Sequence, residues 1–345
     1  MPNAEDARPG VKQVAKVAGV SIATVSNVLN GRGRVSAETI DRVRAAMAEL
    51  GYVRNEAARQ LRAGQSRHVG IVVLDLSNPF FVDLIRGAER RAREDDLYVL
   101  IGNSDRDPQL ERSHLTIFTE QRARGLLLSP AGDPSDLLDR LKGITSTVVL
   151  DFLPPEGTFS SVSVDDFAGG YLAVKHLLDI GRRHIAVVAG ATELRQVQDR
   201  LRGARESVAE HSGARLEIVH TTALTVAAGR AAGASLRTRS SRAPVDGVFA
   251  VNDLLATGVL LALREDARLA VPDDIAIIGY DDIAIASDAP VPLSSVRQPT
   301  ELMGYSALDM LLRTQRSGEI ETLVFQPELV IRRSSSTSDP GDAPS

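Results

Sequence analysis

Seven short runs of apolar residues, separated by longer segments with helical patterning, constrain the fold of residues 66–333. Runs that are apolar throughout are typical of parallel strands covered on both faces, and the segments between them supply crossover helices. The pattern predicts an α/β fold with doubly wound parallel sheets arranged in two similar lobes. The runs are VGIVVL from Val69, LYVLI from Leu97, GLLLS from Gly125, TVVLD from Thr147, HIAVVAG from His184, DGVFAVND from Asp246 and IAIIGYDD from Ile275.

The chain is expected to cross between these lobes near residues 162–166 and again near residues 294–299. The later run LVFQPELVIRR predicts one strand that returns to a lobe already built. The expected lobes are residues 66–163 with 296–324, and residues 164–295 with 325–333. The segment 334–345 is polar and contains proline, which predicts a disordered tail.

Polar side chains follow several predicted strands at their carboxyl ends, where such sheets bind ligands. Each has a structural explanation, because Asn-Pro predicts a turn, paired aspartates can cap a helix, and an arginine in a charged segment can be solvated. Carboxylates and amides pair with hydroxyls, and an aromatic ring covers an apolar sugar face, so the whole set suits a polyol. The candidates are Asn78, Phe80, Phe81, Asp151, Arg200, Asn252, Asp281 and Gln298.

Ahead of the predicted sheets, the stretch VAKVAGVSIATVSNVLN at residues 14–30 predicts two short helices broken by Gly19, a helix-turn-helix pattern. Gly19 can end the first helix at positive φ, and Ser21 can cap the second. A face of small and amide side chains at a helix start suits the major groove of DNA, whereas the alternative is a helical hairpin with a solvated polar face. The candidate DNA contacts on this second helix are Ser21, Ile22, Ala23, Thr24, Ser26, Asn27 and Asn30.

A third helix should complete a headpiece that spans residues 1–52. Ser36 is its expected N-cap, and Gly51 is expected to end it. Its predicted buried stripe consists of Ile40, Val43, Met47 and Leu50. Residues 55–64 then predict a capped segment of about two turns, which is shorter than the ~12 residues at which an isolated helix becomes marginal in water. This segment should therefore fold only against a partner.

The run from Val14 to Leu61 resembles the headpiece of the lactose-repressor (LacI/GalR) family of bacterial transcription regulators. The resemblance implies that residues 53–65 are a hinge helix and linker, which contacts the minor groove through Asn55, Ala58 and Leu61. Leu61 would wedge into the central base step and bend the duplex. The family often has arginine at the position of Asn27 and proline at the position of Arg54, so this chain should read different bases and enter the hinge less rigidly.

Residues 66–333 resemble the periplasmic sugar-binding-protein fold that forms the effector domain of the same family. The segments NPFF, VLD, RLRGA, VND, GYDD and VRQP stand where that family has ligand contacts, so the eight cleft candidates are implied effector contacts. Arg200 and Asp281 would bind hydroxyls from one lobe, and Asn78 and Asp151 would do so from the other. The expected stacking surfaces are Phe80 and Phe81, with Phe152 or Tyr280 as further candidates.

Charge is divided unevenly along the chain. Residues 1–64 hold ten Lys or Arg and six Asp or Glu, a net charge of +4, whereas the remaining residues carry a net charge of −9. A basic headpiece on an acidic body is typical of a nucleic-acid binder. Because a charge of +4 is modest, two headpieces on a homodimer are expected, and the tail lacks the leucine-repeat tetramerisation helix of the lactose repressor.

Several classes of protein are disfavoured. There is no cysteine for disulfides or a thiolate metal site. No Walker P-loop, GxGxxG, HExxH or GxSxG motif occurs, and the six histidines are scattered, so neither an enzyme nor a cofactor or metal site is expected. The N-terminus has no signal-peptide core and no apolar run reaches membrane length, which argues against an exported solute-binding protein and predicts a cytoplasmic, nucleoid-associated location.

Together these features predict a sequence-specific DNA-binding regulator, chiefly a repressor of sugar uptake or catabolism genes. Its expected partners are double-stranded DNA at a near-palindromic operator, a second copy of the chain and a small sugar or sugar derivative between the lobes. Closure of the cleft would change the separation of the two hinges. The sequence leaves open a phosphocarrier-protein coregulator, a non-sugar effector and whether the effector releases or promotes DNA binding.

Overall fold

The headpiece consists of three short helices packed around a small core. They are α1 (Val11–Ala18), α2 (Ile22–Asn30) and α3 (Ala37–Glu49). Gly19 ends α1 with φ of +64°, a backbone conformation that favours glycine. The buried core residues are Val14, Ala15, Ala18, Val25, Val43 and Ala46. Of the predicted α3 stripe, only Val43 is buried, and Ala46 supplies the second core contact of α3, while the other three predicted residues are half-buried.

A computed structural model describes residues 9–30, 33–52, 66–154, 157–237, 244–266 and 268–336. The chain divides into two compact units, Met1–Gln65 and Ser66–Ser345. No helix within the described ranges is long and apolar enough to cross a membrane.

The first lobe of the body is a six-stranded parallel sheet with strand order β11-β5-β4-β3-β1-β2. Its helices are α4 (Pro79–Glu94), α5 (Pro108–Glu120), α6 (Ser135–Leu141) and α12 (Thr300–Ser317). Its strands are β1 (His68–Val73), β2 (Tyr98–Asn103), β3 (Leu126–Leu128), β4 (Thr147–Leu150), β5 (Ser160–Val164) and β11 (Thr322–Phe325).

The second lobe repeats this plan with strand order β12-β10-β9-β8-β6-β7, in which only β12 is antiparallel to its neighbour. Its helices are α7 (Asp166–Asp179), α8 (Arg195–Ala209), α9 (Val226–Arg237), α10 (Asp253–Leu263) and α11 (Ala284–Asp288). Its strands are β6 (His184–Ala189), β7 (Arg215–His220), β8 (Gly247–Ala250), β9 (Ala276–Asp281), β10 (Ser294–Arg297) and β12 (Glu328–Val330). The predicted α/β fold with two doubly wound lobes is confirmed.

The late strand differs from the prediction. The run LVFQPELVIRR forms two strands in different sheets, because β11 pairs with β5 and β12 pairs with β10. Gln326 and Pro327 separate the two strands, and proline cannot donate to a strand ladder. The expected lobe boundaries also shift slightly, since β10 stays in the second sheet up to Arg297 and β11 stays in the first sheet up to Phe325.

The start of the tail is ordered, so the prediction of disorder from Ser334 is wrong for its first residues. Arg333–Ser335 form a 3-10 turn in which both serines are buried. The Ser334 hydroxyl donates to the Ile277 carbonyl at 2.6 Å and accepts from the Ser294 amide at 2.8 Å. These bonds satisfy backbone groups of the second sheet, which a composition rule for disorder does not detect. Residues 337–345 lie outside the described residues.

Candidate functional site

The second helix of the headpiece presents an outer face that is largely open to solvent. Ser21, Ala23 and Asn27 are exposed, Ile22 is 49 % exposed, and Thr24 and Ser26 are half-buried. Val25 is buried on the opposite side, which fixes the face that α2 turns outward. The Ser21 hydroxyl oxygen accepts from the Thr24 amide at 3.0 Å and so caps the helix. Asn30 is the last residue of α2.

Three further predicted DNA contacts belong to the hinge segment. Asn55, Ala58 and Leu61 lie outside the described residues.

The cleft candidates of the body converge on one cavity, which has about 500 Å³ of space between its walls, including the part open to solvent. Seven of the eight predicted residues line it, and the eighth, Gln298, is bonded to a lining residue. The seven are Asn78, Phe80, Phe81, Asp151, Arg200, Asn252 and Asp281.

Asp281 links the two lobes. Its Oδ2 accepts from the Asn78 side-chain amide of the first lobe at 3.2 Å, and its Oδ1 accepts from the Gln298 amide at 2.8 Å. The backbone of Asp281 has φ of +100°, and that of Asp282 has φ of +56°. Positive φ is uncommon for residues other than glycine and is concentrated at functional sites, so the end of β9 has the geometry of a ligand-binding turn.

Arg200 is held rigidly by the residues around it. Its Nε donates to Asp166 Oδ1 at 2.7 Å, and its Nη1 donates to the Val251 carbonyl at 2.7 Å. Its guanidinium lies 3.6 Å from the centre of the Tyr280 ring, and the Tyr280 hydroxyl donates to Asp166 Oδ1 at 2.9 Å. Arg200 is only 5 % exposed, so these bonds fix it before any ligand arrives.

Asp166 was missed by the sequence analysis, and Tyr280 was considered only as a stacking surface. Tyr280 is fully buried against Arg200 and does not line the cavity. Asp166 is the first residue of α7, where an acidic residue is common, so its position alone gave no signal. Phe152, the other possible stacking residue, lines a neighbouring cavity.

The carboxylates of the cleft have perturbed acidity. Burial, with a contribution from nearby Asp166, raises the pKa of Asp151 to about 7. Burial also raises the pKa of Asp281 to about 6, although Arg200 opposes the increase. Asp151 Oδ1 and Gln298 Oε1 are buried without a hydrogen-bond partner among the described residues. Because an unsatisfied buried acceptor is costly, Asp151 Oδ1, whose residue lines the cavity, is suited to accept a hydrogen bond from a ligand.

Asn252 makes two structural hydrogen bonds in addition to lining the cleft. Its Oδ1 accepts from the Leu255 amide at 2.9 Å as the N-cap of α10, and its Nδ2 donates to the Leu224 carbonyl at 3.2 Å. Behind it, the fully buried Asp253 accepts from the Ile283 amide and the Ser295 hydroxyl, which fixes the backbone beside Asp281. Within the described ranges, no cluster of His, Asp or Glu could hold a metal ion.

Comparison with known proteins agrees with the geometry of both units. Residues 11–55 match the model of the lacI family of bacterial regulatory proteins, and residues 174–335 match that of periplasmic binding protein-like domains. The ribose operon repressor of Bacillus subtilis is 35 % identical over 325 residues, which cover 94 % of this chain and 97 % of the repressor.

Several solved structures are similar over 95 % of this chain. The lac repressor dimer bound to operator and the anti-inducer ONPF has a TM-score of 0.83 and 25 % identity over 99 % of its chain. The complex of the transcriptional regulator CelR with cellobiose has a TM-score of 0.70 and 30 % identity over its full chain. On the strength of both domain matches and the full-length likeness to a repressor, the chain belongs to the lacI family of bacterial regulatory proteins.

Proposed function

We propose that the protein is a transcriptional repressor whose affinity for operator DNA is controlled by a sugar bound between its two lobes. The observation that carries this proposal is the convergence of the cleft candidates on one cavity with fixed, buried polar groups. Relatives named as repressors, including the ribose operon repressor, support the DNA-binding role. The protein is a regulator and not an enzyme.

A sugar is the best match to the chemistry of the cleft. Asp151 and Asp281 supply carboxylate oxygens, Arg200 supplies a fixed cation, and Phe80 and Phe81 supply apolar ring surface at the start of α4. Vicinal hydroxyls both donate and accept hydrogen bonds, so they pair with carboxylates and a guanidinium together. The named ligand of CelR, cellobiose, supports the same class of effector.

The DNA-binding part of the proposal requires two copies of the chain. A homodimer would place the α2 helices in successive major grooves of a near-palindromic operator, while residues 53–65 act as hinge helices in the minor groove. The effector would alter the separation of the two hinges. A large change in operator occupancy requires the effector to favour one state by several kcal/mol, about 5.5 kcal/mol for a shift from 1:99 to 99:1. Such a repressor works on chromosomal DNA, in the cytoplasm and associated with the nucleoid.

Operator binding by the full-length protein, measured with and without saturating sugar, tests the proposal. We expect at least one sugar that gives calorimetric heat to change operator affinity at least tenfold in either direction. Identical operator affinity at zero and saturating sugar would refute control by the cleft. If no sugar binds but a phosphocarrier protein or a non-sugar metabolite does, the DNA-binding role stands and the class of effector is different.

The hinge is tested separately with Leu61→Ala. Loss of an apolar wedge should weaken operator binding markedly while leaving sugar affinity nearly unchanged, since the cleft residues are untouched. Leu61→Ala removes an apolar side chain and no charge. Arg59→Ala, which removes a charged side chain from the same segment, is the matched control. An equal loss of both affinities in Leu61→Ala would contradict the assigned hinge role.

A further inference from the structure

A second cavity, which we call the side pocket, adjoins the effector cleft. It has about 700 Å³ of space, including the part open to solvent, and Asp151 and Gln196 line both cavities. Asp166, which fixes Arg200 in the cleft, also lines the side pocket. The two cavities therefore adjoin at Asp151, so a ligand that extends beyond the cleft on this side would meet the side pocket.

The side pocket has apolar surfaces on walls from both lobes. Leu153 follows β4 and is 56 % exposed, and Val324 on β11 is 41 % exposed. Phe152 and Phe167 are half-buried, and each contributes an aromatic ring to the lining. Partly exposed aromatic and aliphatic side chains around a polar floor are suited to a flat ring that carries hydroxyls at its edge.

The charges of the side pocket disfavour an anionic ligand. Among the described residues, its cationic lining residues are Arg195 and Arg202, and both pair with the same carboxylate, that of Asp199, at 3.1 and 2.7 Å. The neighbouring acidic residues Asp165 and Asp166 add negative charge. A phosphate would therefore have no free cation to pair with, whereas a neutral ring would leave these ion pairs intact.

We propose that the side pocket binds the second ring of a neutral disaccharide whose first ring occupies the effector cleft. This inference rests on the proposed function, because it requires a sugar in the cleft. The proposal also sets the direction in which the disaccharide extends from the cleft. At the opposite end of the cleft, Arg106 also lines a polar cavity with Thr192, His220 and Thr222, which lacks the apolar ring surfaces of the side pocket.

Calorimetry on the full-length protein tests the proposal with glucose, galactose, cellobiose, maltose and lactose as probes. We expect one disaccharide to bind at least tenfold more tightly than either of its constituent monosaccharides. Leu153→Arg, which fills the side pocket, should remove that tenfold gain and leave monosaccharide affinity within twofold. Thr222→Arg, at the opposite end of the cleft, is the matched control and should keep the gain.

The outcomes separate this inference from the proposed function. If a monosaccharide binds as tightly as every disaccharide, or if the gain is lost only in Thr222→Arg, the side pocket is not the second subsite, although sugar control stands. If no sugar of either length binds, both proposals fail. Val324→Lys blocks the same pocket from β11 of the same lobe and provides the same readout if Leu153→Arg does not fold.

Discussion

The headpiece and the cleft use polar side chains in opposite ways. On α2, the candidate DNA contacts Ile22, Ala23 and Asn27 are exposed, and the buried Val25 on the other side of the helix belongs to the core. In the cleft, most candidate contacts are buried, and Asn78, Asp281 and Gln298 are bonded to one another across elements and lobes. A polar side chain on α2 can therefore change without disturbing the fold, whereas a polar side chain in the cleft is part of what holds the body together.

This contrast arises from the cost of burying charge. An exposed ion pair contributes about 0–1 kcal/mol, because water already solvates both groups. A buried pair contributes little net stability, but removal of one partner leaves the other charge uncompensated in a poorly solvated site. Arg200 and Asp166 form such a pair, so recognition and stability are coupled in the cleft and separate in the headpiece.

The largest effect is expected for Arg200→Met, which leaves Asp166 buried without its cation. We expect the free energy of unfolding of the body to fall by about 3–5 kcal/mol, and sugar binding to drop below detection. Urea denaturation and calorimetry measure the two effects. The matched control is Arg202→Met on the same helix, since Arg202 is 56 % exposed in its side chain and pairs with Asp199, and its loss should cost under about 1 kcal/mol. Equal losses in the two variants would remove the contrast between buried and exposed polar groups.

A smaller effect, confined to one function, is expected for Asn27→Ala. Asn27 is exposed on α2, and asparagine pairs with adenine in the major groove through two hydrogen bonds. Its loss should reduce operator affinity by about 1–3 kcal/mol, with relaxed preference at a single base position of each half-site.

Operator variants scanned by fluorescence anisotropy measure that preference. Unfolding and sugar affinity should match the wild-type protein, because no core residue changes. A uniform loss across all operator positions would instead indicate a contact to phosphate.

The α/β fold could be predicted from the sequence because the core strands are apolar throughout. The strands that this apolar pattern did not predict are rich in serine or lie at the edge of a sheet. β5 and β10 carry buried serines, and β7 is an edge strand with mostly half-exposed residues. The same limitation explains the tail, where Ser334 and Ser335 are buried by hydrogen bonds and not by apolar contact.

The cleft could be predicted as a set of residues but not as a network. Strand-end positions identified the lining residues, since carboxyl ends of parallel strands meet at one edge. The pairing of Arg200 with Asp166 joins residues 34 positions apart on different helices, and the bond from Asn78 to Asp281 joins different lobes. Such contacts depend on how elements pack, which no local pattern encodes.

The buried carboxylates should also make the stability of the body depend on pH. The pKa of Asp151 is raised to about 7 in the folded protein from an ordinary value of 3.8, so the folded state binds more protons than the unfolded state between these values. The stabilising contribution is therefore present at low pH and is lost as the pH rises through about 7, with a slope of at most about 1.4 kcal/mol per pH unit for one proton.

Asp151→Asn provides the measurement. The variant side chain stays neutral in both states, so its urea unfolding midpoint should gain on that of the wild-type protein as the pH rises from 5 to 8. Parallel pH profiles for the two proteins would show that Asp151 does not titrate in this range. Asp133→Asn, at an exposed carboxylate outside the cleft, is the control and should leave the wild-type profile unchanged between pH 5 and 8, because the pKa of Asp133 is lowered by hydrogen bonds from Ser135.

The smallest effect is expected where a headpiece residue has both a structural and a recognition role. Ser21 caps α2 and Ser36 caps α3 through equivalent bonds to the amides of Thr24 and Thr39. Replacement of either serine by alanine should lower headpiece stability by about 1 kcal/mol, because one helix-terminal amide loses its acceptor. Thermal unfolding measures this loss, and operator titration then distinguishes the roles of the two serines.

Only Ser21→Ala should weaken DNA binding beyond its effect on folding, since Ser21 lies at the start of the candidate recognition helix. If Ser36→Ala weakens operator binding as much as Ser21→Ala does, the loss in both variants reflects headpiece stability alone. Recognition and stability would then not be separate at the two helix caps of the headpiece.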